Sequence, residues 1–408
     1  MNSSRFKLKK IILKFIIILL LIFFLVAILP YLISPVYKFP EKTIFKGKYI
    51  CNPYENLDST KWIKANFHCH SKVWSGITRG YNSSIDTIIY VYKLLKYDII
   101  GISNYMKIFN EYLDSGFIMP AYEHGYGLFK VHYLVIGNER VNLIDFLFPQ
   151  SLSNKQFIIK NLKNPENIIA IVHPNIYNAF TENDFEYLTD YDCVEILRYD
   201  RVSTKYWDAA LSAGNLKYLL ADDDSHNITA PYEVGRCFTM INSPFKDKEQ
   251  VIKAIKEGKT YAIDWRATLF DSLNIKLQKL SEIPYLQYLK LNLDTIKIKV
   301  NKPAQEIAFI GQYGMRVDSL KNTDFGLYKM KDSDSYIRIE ITFFDNTKMY
   351  LNPLIRYDDE NPLKIKSAQI NIFLTLVNKL IYLTIIIFFA FLIIYSKKKR
   401  KQKSKILD

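Results

Sequence analysis

The sequence predicts an α/β unit followed by a small β-sandwich, with a membrane-spanning helix at each end of the chain. Three observations carry this. Short apolar runs alternate with helical patterns over residues 61–222, the signature of a largely parallel sheet. After Trp265 the texture changes to alternating β patterns. At either end an uncharged apolar run abuts a lysine-rich segment, as membrane spans with cytoplasmic flanks do.

From the N-terminus, residues 1–14 carry Arg5, Lys7, Lys9, Lys10 and Lys14, a basic cytoplasmic tail. Residues 15–37 hold no charge, and Phe15 to Leu29 is unbroken Ile, Leu, Phe, Val and Ala, long enough to cross a bilayer core. Pro30 and Pro35 stand where a small-residue cleavage site would be expected, which favours an uncleaved anchor. Residues 38–60 read as a linker, 359–378 as a second linker, 379–395 as the second span and 396–408 as a second basic tail. Both tails are expected in the cytoplasm and the middle of the chain outside it, a two-pass cell-membrane protein. The two tails hold eleven of the fourteen net positive charges in the 408 residues. The remainder is too weak a basic field for a nucleic-acid backbone, so no nucleic-acid partner is expected. The four cysteines match neither a disulfide scaffold nor zinc-finger spacing, and a single bridge stays open.

Seven strands are expected in residues 61–266: Trp62 to His68, Asp98 to Ser103, Phe117 to Glu123, Val131 to Ile136, Ile168 to His173, Asp192 to Leu197 and Lys217 to Asp222. Ser84 to Tyr97 places Ile85, Ile88, Ile89, Tyr92 and Leu95 at helical spacing behind a serine cap. Ser203 to Ala213 ends at Gly214, and Lys248 to Glu257 ends at Gly258, stops typical of helices. Ile296 to Val300 and Tyr336 to Thr342 alternate as strands do, and residues 267–358 read as the β-sandwich.

Parallel-strand enzymes keep their chemistry at the carboxyl ends of strands, and several of these runs close on His, Asp or Glu. His68 and His70 lie two apart on a strand, so both imidazoles project to one side while Cys69 faces the other. Glu123 closes one run, His132 lies in another, His173 closes Ile169 to His173, and Asp224 and His226 follow Leu219 to Ala221. Five of the six histidines of the chain belong to this set.

In content and order these residues resemble the PHP (polymerase and histidinol phosphatase) metallohydrolase superfamily. Asp192 to Ile196, Trp207 to Gly214 and Ile255 to Ala262 are similar to its CehA/McbA-like branch. The likeness covers about residues 61–265, with a weaker extension to Tyr336 to Glu340 and Leu351 to Leu354. It implies a distorted (β/α)7 barrel and two divalent ions, Zn or Mn, with Fe a further choice. One ion would be held by His68, His70, Glu123 and Asp224, the other by Glu123, His132 and His173. Asp224 and His226 would be catalytic. Where the family has Thr-Asp-His, this chain has Ser103-Asn104-Tyr105. The substitution argues against a third metal and frees His226 to contact substrate or donate a proton. It also leaves Asn104 and Tyr105 as substrate or supporting contacts.

Paired divalent ions activate water and clamp an attacked oxygen, so the expected substrate is a phosphoester, with a carboxyl or carbamate ester as rival. Arg79, Arg201 and Arg236 are the guanidinium groups considered for an anionic group, Arg236 foremost. The alternative is a catalytically weak or inactive binding or assembly module of the cell envelope. Oligomeric state cannot be read from the residues.

Overall fold

A computed structural model describes residues 2–74, 77–111, 116–358 and 366–407. The expected linker 359–378 therefore lies partly outside the described residues, at 359–365, as do Met1 and Asp408 of the tails. The architecture is mixed α/β, with two large sheets and an apolar helix at each end.

Helix α1 (Asn2–Phe23) runs through one π-turn, Phe24–Ile28, into α2 (Leu29–Ile33). Pro30 sits in the first turn of α2, where the missing N–H costs nothing. The apolar stretch Ile11–Ile33 is long enough to cross a membrane, and its side chains are exposed as far as Val26. It ends at Ile33 rather than at residue 37, because the chain turns extended and forms strand β1 (Tyr37–Lys38). Strand β2 (Tyr49–Cys51) follows.

The seven expected strands are present as β3 (Trp62–Asn66), β4 (Ile99–Gly101), β5 (Ile118–Met119) with β6 (Ala121–His124), β7 (Tyr133–Ile136), β8 (Ile168–Ile171), β9 (Cys193–Arg198) and, after the short β10 (Arg201–Val202), β11 (Tyr218–Ala221). The run Phe117 to Glu123 is not one strand. Pro120 has no N–H to give to a ladder, and the chain changes sheet there: β5 pairs with β4, β6 with β7. The pairing is parallel for β3–β4, β4–β5, β8–β9 and β9–β11, whereas β7 runs antiparallel to both its neighbours. Beyond β11 the chain returns to the end of β3, where the His70 amide donates to the Ser225 carbonyl at 2.9 Å.

The connecting helices are α3 (Ile85–Leu94), α4 (Leu152–Leu162), α5 (Glu182–Tyr187), α6 (Thr204–Ser212) and α7 (Lys248–Lys256). Local chemistry sets their starts. Ser84 Oγ accepts from the Thr87 amide, Asp247 from the Gln250 amide, and Ser151 and Thr181 form reciprocal capping boxes with Asn154 and Asp184.

Strands β12 (Cys237–Asn242) and β13 (Thr260–Asp264) extend the sheet antiparallel from β3. After α8 (Leu273–Gln278) come β14 (Leu286–Asn292), β15 (Thr295–Ile310), β16 (Arg316–Lys329), β17 (Tyr336–Phe343) and β18 (Lys348–Tyr357). The change of texture near residue 266 is not a break in hydrogen bonding, because β13 pairs directly with β18. One sheet runs β14-β15-β17-β18-β13-β12-β3-β4-β5. Its core is continuous as well, with Ile100, Phe238 and Tyr261 packed in the same cluster as Ile307 and Ile339. All four cysteines are free.

Strand β19 (Gln369–Ile370) leads into α9 (Ile372–Leu407), of which Ile372–Leu392 is long and apolar enough to cross a membrane. This stretch starts before the expected residue 379, because Asn371 caps the helix through the Leu374 amide. β1 and β19 pair antiparallel, and Thr375 Oγ1 accepts from the Val36 amide at 3.0 Å. The inner ends of the two apolar helices are thereby stapled side by side.

Candidate metal centre

The candidate ligands converge because the strand ends are locked to one another just beyond the ladders. The Ser103 amide donates to the Cys69 carbonyl at 2.8 Å, and the Cys69 amide to Ser103 Oγ at 3.1 Å. Cys69 Sγ turns to the Gly101 carbonyl in the apolar core, so His68 and His70 face the opposite side together. His68, His70, Glu123, His132, His173 and Asp224 are all buried.

Glu123 lies at the centre. Its Oε1 is 2.5 Å from His132 Nδ1 and 2.9 Å from His173 Nε2, while its Oε2 is 3.5 Å from His68 Nε2 and 3.3 Å from His70 Nε2. Asp224 Oδ1 faces the same two imidazoles, at 3.1 and 3.2 Å. Each carboxylate oxygen of Glu123 thus serves a different set of histidines. His68 Nε2, Glu123 Oε2 and His132 Nδ1 are buried without a directed hydrogen bond, despite these short separations. Their lone pairs converge on shared points rather than on one another, as donors around a cation do. The imidazole and carboxylate set suits a divalent ion. Ligand atoms of His68, His70 and Glu123, and of Glu123, His132 and His173, lie close enough to share one.

The backbone is strained where this happens. His173 has φ 30° and Asp224 φ 48°, left-handed conformations that cost of order 1–3 kcal/mol each in a non-glycine residue. Gly125, with φ 138°, lets His132 approach, since a Cβ there would lie 2.5 Å from His132 Cδ2.

Burial opposes charge on both carboxylates. The imidazoles beside Glu123, His132 foremost, and the Arg198 guanidinium beside Asp224 nevertheless hold both well below the usual carboxylate range. The ionised form of both is therefore the resting one. Burial also lowers His68, yet Asp224 and Glu195 outweigh it and raise that imidazole above its ordinary value. Burial and the neighbouring His70 push His226 down to about 4.

Two residues in this site carried no role in the sequence reading. Glu195 on β9, 1% exposed, accepts from His68 Nδ1 at 2.8 Å and from the His173 amide at 2.9 Å. It orients two ligands at once. Arg198 closes the same strand and pairs with Asp224 Oδ2, leaving Asp224 a single oxygen for a metal. The signal for Glu195 was a lone carboxylate in the apolar run Cys193 to Leu197.

Among the remaining candidates, Tyr105 and His226 reach the site. His226 Nδ1 donates to the Asp224 carbonyl at 3.0 Å, and the Tyr105 hydroxyl lies 3.0 Å from His226 Nε2. That tautomer makes Nε2 the acceptor and the tyrosine the donor. Both rings stack on His70. Asn104 is spent elsewhere: its Oδ1 accepts from the Ser71 and Lys72 amides and its Nδ2 donates to Ser71 Oγ. Arg236 is buried with Nε on Asp264 at 3.1 Å, and it is not brought to the histidines. Arg201 forms an ion pair with Asp200 at 3.4 Å. Of the acidic run, Asp222 accepts from the Phe67 amide, and Asp223 from the amides of Gly235, Arg236 and Cys237, so only Asp224 turns inward. A separate cavity of about 890 Å³ opens at the opposite strand ends, lined by Lys163, Asp192, Lys217 and Lys253, and shares no residue with the cluster.

No family model matches the chain and no curated protein does. Several solved structures are similar to it, among them the following two. One is a two-domain protein containing a predicted PHP-like metal-dependent phosphoesterase from Bacteroides vulgatus ATCC 8482, at 11% identity and TM-score 0.39, over 78% of this chain and 99% of that one. The other is PsfC from Pseudomonas syringae PB-5123, at 13% identity and TM-score 0.38, over 54% of this chain and 99% of that one. At these scores neither likeness carries weight for activity, which rests on the residues themselves.

Proposed function

We propose that this chain is a membrane-tethered, metal-dependent hydrolase of the PHP type that cleaves a phosphoester, its seven strands forming a distorted barrel followed by a β domain. The observation that carries the reading is the division of Glu123 between two histidine sets, His132 with His173 and His68 with His70. Two divalent ions bound there would supply activated water near neutral pH and neutralise charge on the attacked group.

The protein's own residues do the rest. Glu195 accepts from His68 Nδ1, so in the neutral imidazole the lone pair lies on Nε2, the atom that faces Glu123 and Asp224. Asp224 is kept ionised by Arg198. The Tyr105 hydroxyl donates to His226 Nε2 and both rings stack on His70, so the pair would line the site as a polar contact for substrate. The stapled inner ends of the two apolar helices favour a two-pass hairpin, and the lysine-rich tails favour both termini in the cytoplasm with the globular part outside.

A second reading is an envelope binding module of weak or no activity. It is favoured by Ser103-Asn104-Tyr105, whose asparagine is committed to the 71–72 backbone. Metal analysis of the purified full chain with a phosphomonoester and phosphodiester screen decides between them. About two metals per chain, with turnover lost in His68→Ala and Asp224→Ala, supports the hydrolase. Bound metal without turnover on any ester favours the module.

A further inference from the structure

We infer that the mouth of the metal centre is seated in the membrane interface, and that its substrate is a phosphoester headgroup still attached to a lipid in the adjoining leaflet. The inference rests on the membrane-anchored hydrolase reading and names the substrate class for it.

Tyr31 lies within the apolar stretch Ile11–Ile33, two residues from its end. Its hydroxyl accepts from the Phe148 amide at 3.2 Å and donates to the Pro149 carbonyl at 3.3 Å, and its ring packs edge-on against Phe146 at 4.8 Å. The strap around residues 145–149 is therefore fixed at the depth of the end of a span, the headgroup level at which tyrosines collect.

The strap in turn holds a loop of the metal centre. Leu147 accepts from the Leu128 amide at 3.0 Å, and Asp145 Oδ2 accepts from the amides of Tyr126 and Gly127 at 2.8 and 3.1 Å. That loop ends at His132, so Phe129 stands roughly 10 Å or less from a ligand along the chain. Lys130, beside it, lies over the Tyr105 ring at 5.9 Å. From Tyr31 to the candidate ligands the path is continuous hydrogen bonding and chain.

The side chains turned outward along this path are apolar. Leu128 is 64% exposed and Leu143 70%, with Phe129 and Phe148 also exposed. Water is a costly neighbour for such a group, and a monomer seldom carries it without a partner. The occupant is the bilayer, because the patch is continuous with the end of the span through Tyr31. Lys130 can keep its ammonium among phosphates while its stem lies along apolar surface. A soluble substrate would need none of this, whereas a lipid phosphoester would meet the metal centre without leaving its leaflet.

The test uses the full chain, metal-loaded, in lipid nanodiscs. In the first arm Phe129→Trp is read against the parent chain in discs containing brominated phospholipid. Added emission that is quenched supports the seat; added emission indifferent to bromine overturns it, whatever the chemistry proves to be. In the second arm turnover of dioleoyl phosphatidate in the disc is compared with that of p-nitrophenyl phosphate in solution. The ratio of lipid to soluble turnover should fall at least tenfold in Leu128→Glu/Phe129→Glu. An unchanged ratio with a folded variant overturns the substrate class. Quenching without turnover of either ester would sink the hydrolase reading and leave the membrane seat standing.

Discussion

Replacing Glu195 by glutamine tests the centre without touching a ligand. The carboxylate accepts twice, from His68 Nδ1 at 2.8 Å and from the His173 amide at 2.9 Å, and at 1% exposure no water can take over either bond. In Glu195→Gln only one oxygen remains. The His173 backbone N–H can only donate, so it claims that oxygen and the new amide N–H₂ faces His68 Nδ1. His68 must then accept there and carry its proton on Nε2, the atom 3.1 Å from Asp224 Oδ1 and 3.5 Å from Glu123 Oε2. The lone pair meant for the metal is lost. Losing such an orienting partner weakens metal binding roughly 10- to 100-fold, about 1.4–2.7 kcal/mol. Zinc affinity of the full chain, measured by competition with a chelator, reads this directly. Glu195→Ala removes the Nδ1 partner without placing a donor there, so the isosteric glutamine should lose at least as much affinity as alanine. Parent-like zinc affinity in a folded Glu195→Gln, or a glutamine variant clearly better than alanine, would refute the reasoning.

Three more outcomes are expected. Lys64 is buried among Tyr97, Phe238 and Trp265, and burial pushes its pKa down to about 7. Between that value and the ordinary 10.5 the unfolded chain binds the extra proton, so this lysine's cost is full below pH 7 and falls as pH rises above it. Lys64→Met should therefore gain stability at pH 7, and the gain should shrink by about 2 kcal/mol by pH 8.5; a gain equal at both pH values in chemical denaturation would contradict it. Arg338 on β17 holds Asp208 on α6 through two 2.7 Å bonds, so Arg338→Met should cost about 3–5 kcal/mol and Arg338→Met/Asp208→Leu should recover much of it. Thermal unfolding that shows no loss in the single variant would remove this pair as a tie between the β strands and the α/β unit. Lys38 and Gln369 are partners in the β1–β19 ladder, within disulfide reach. Lys38→Cys/Gln369→Cys should cross-link the two ends of the chain on a non-reducing gel after proteolysis between them, and separate fragments would speak against the stapled hairpin.

How far the residues could be read depended on rarity. Histidines are few, and five of the six fall in or beside the expected strands in a set that resembles a metal site; in the fold His68, His70, His132, His173 and His226 lie around Glu123 and Asp224. Glu195 and Arg198 were passed over because carboxylates and guanidinium groups are common, and nothing local says that one of them backs an imidazole 127 positions away. Asn104 reads as a substrate or supporting contact, and its side-chain amide bonds Ser71 and Lys72 directly beside His70. Gly125 shows the same limit, since its need to lack a Cβ exists only because His132 lies against it.

By itself, the sequence determined what depends on composition and period: apolar ends, strand and helix positions with their caps, and a set of metal-type donors at strand ends. These follow from side-chain chemistry acting over a few residues. Tertiary structure alone decided the change of sheet at Pro120, the reversed direction of β7, the unbroken sheet across residue 266, and the division of Glu123 between two histidine sets. Strand pairing runs through backbone N–H and C=O groups that every residue but proline shares, so partner and direction leave little trace in residue type. The meeting of Tyr31 with the 146–149 strap belongs to the same class: it depends on the closeness in space of segments more than a hundred residues apart.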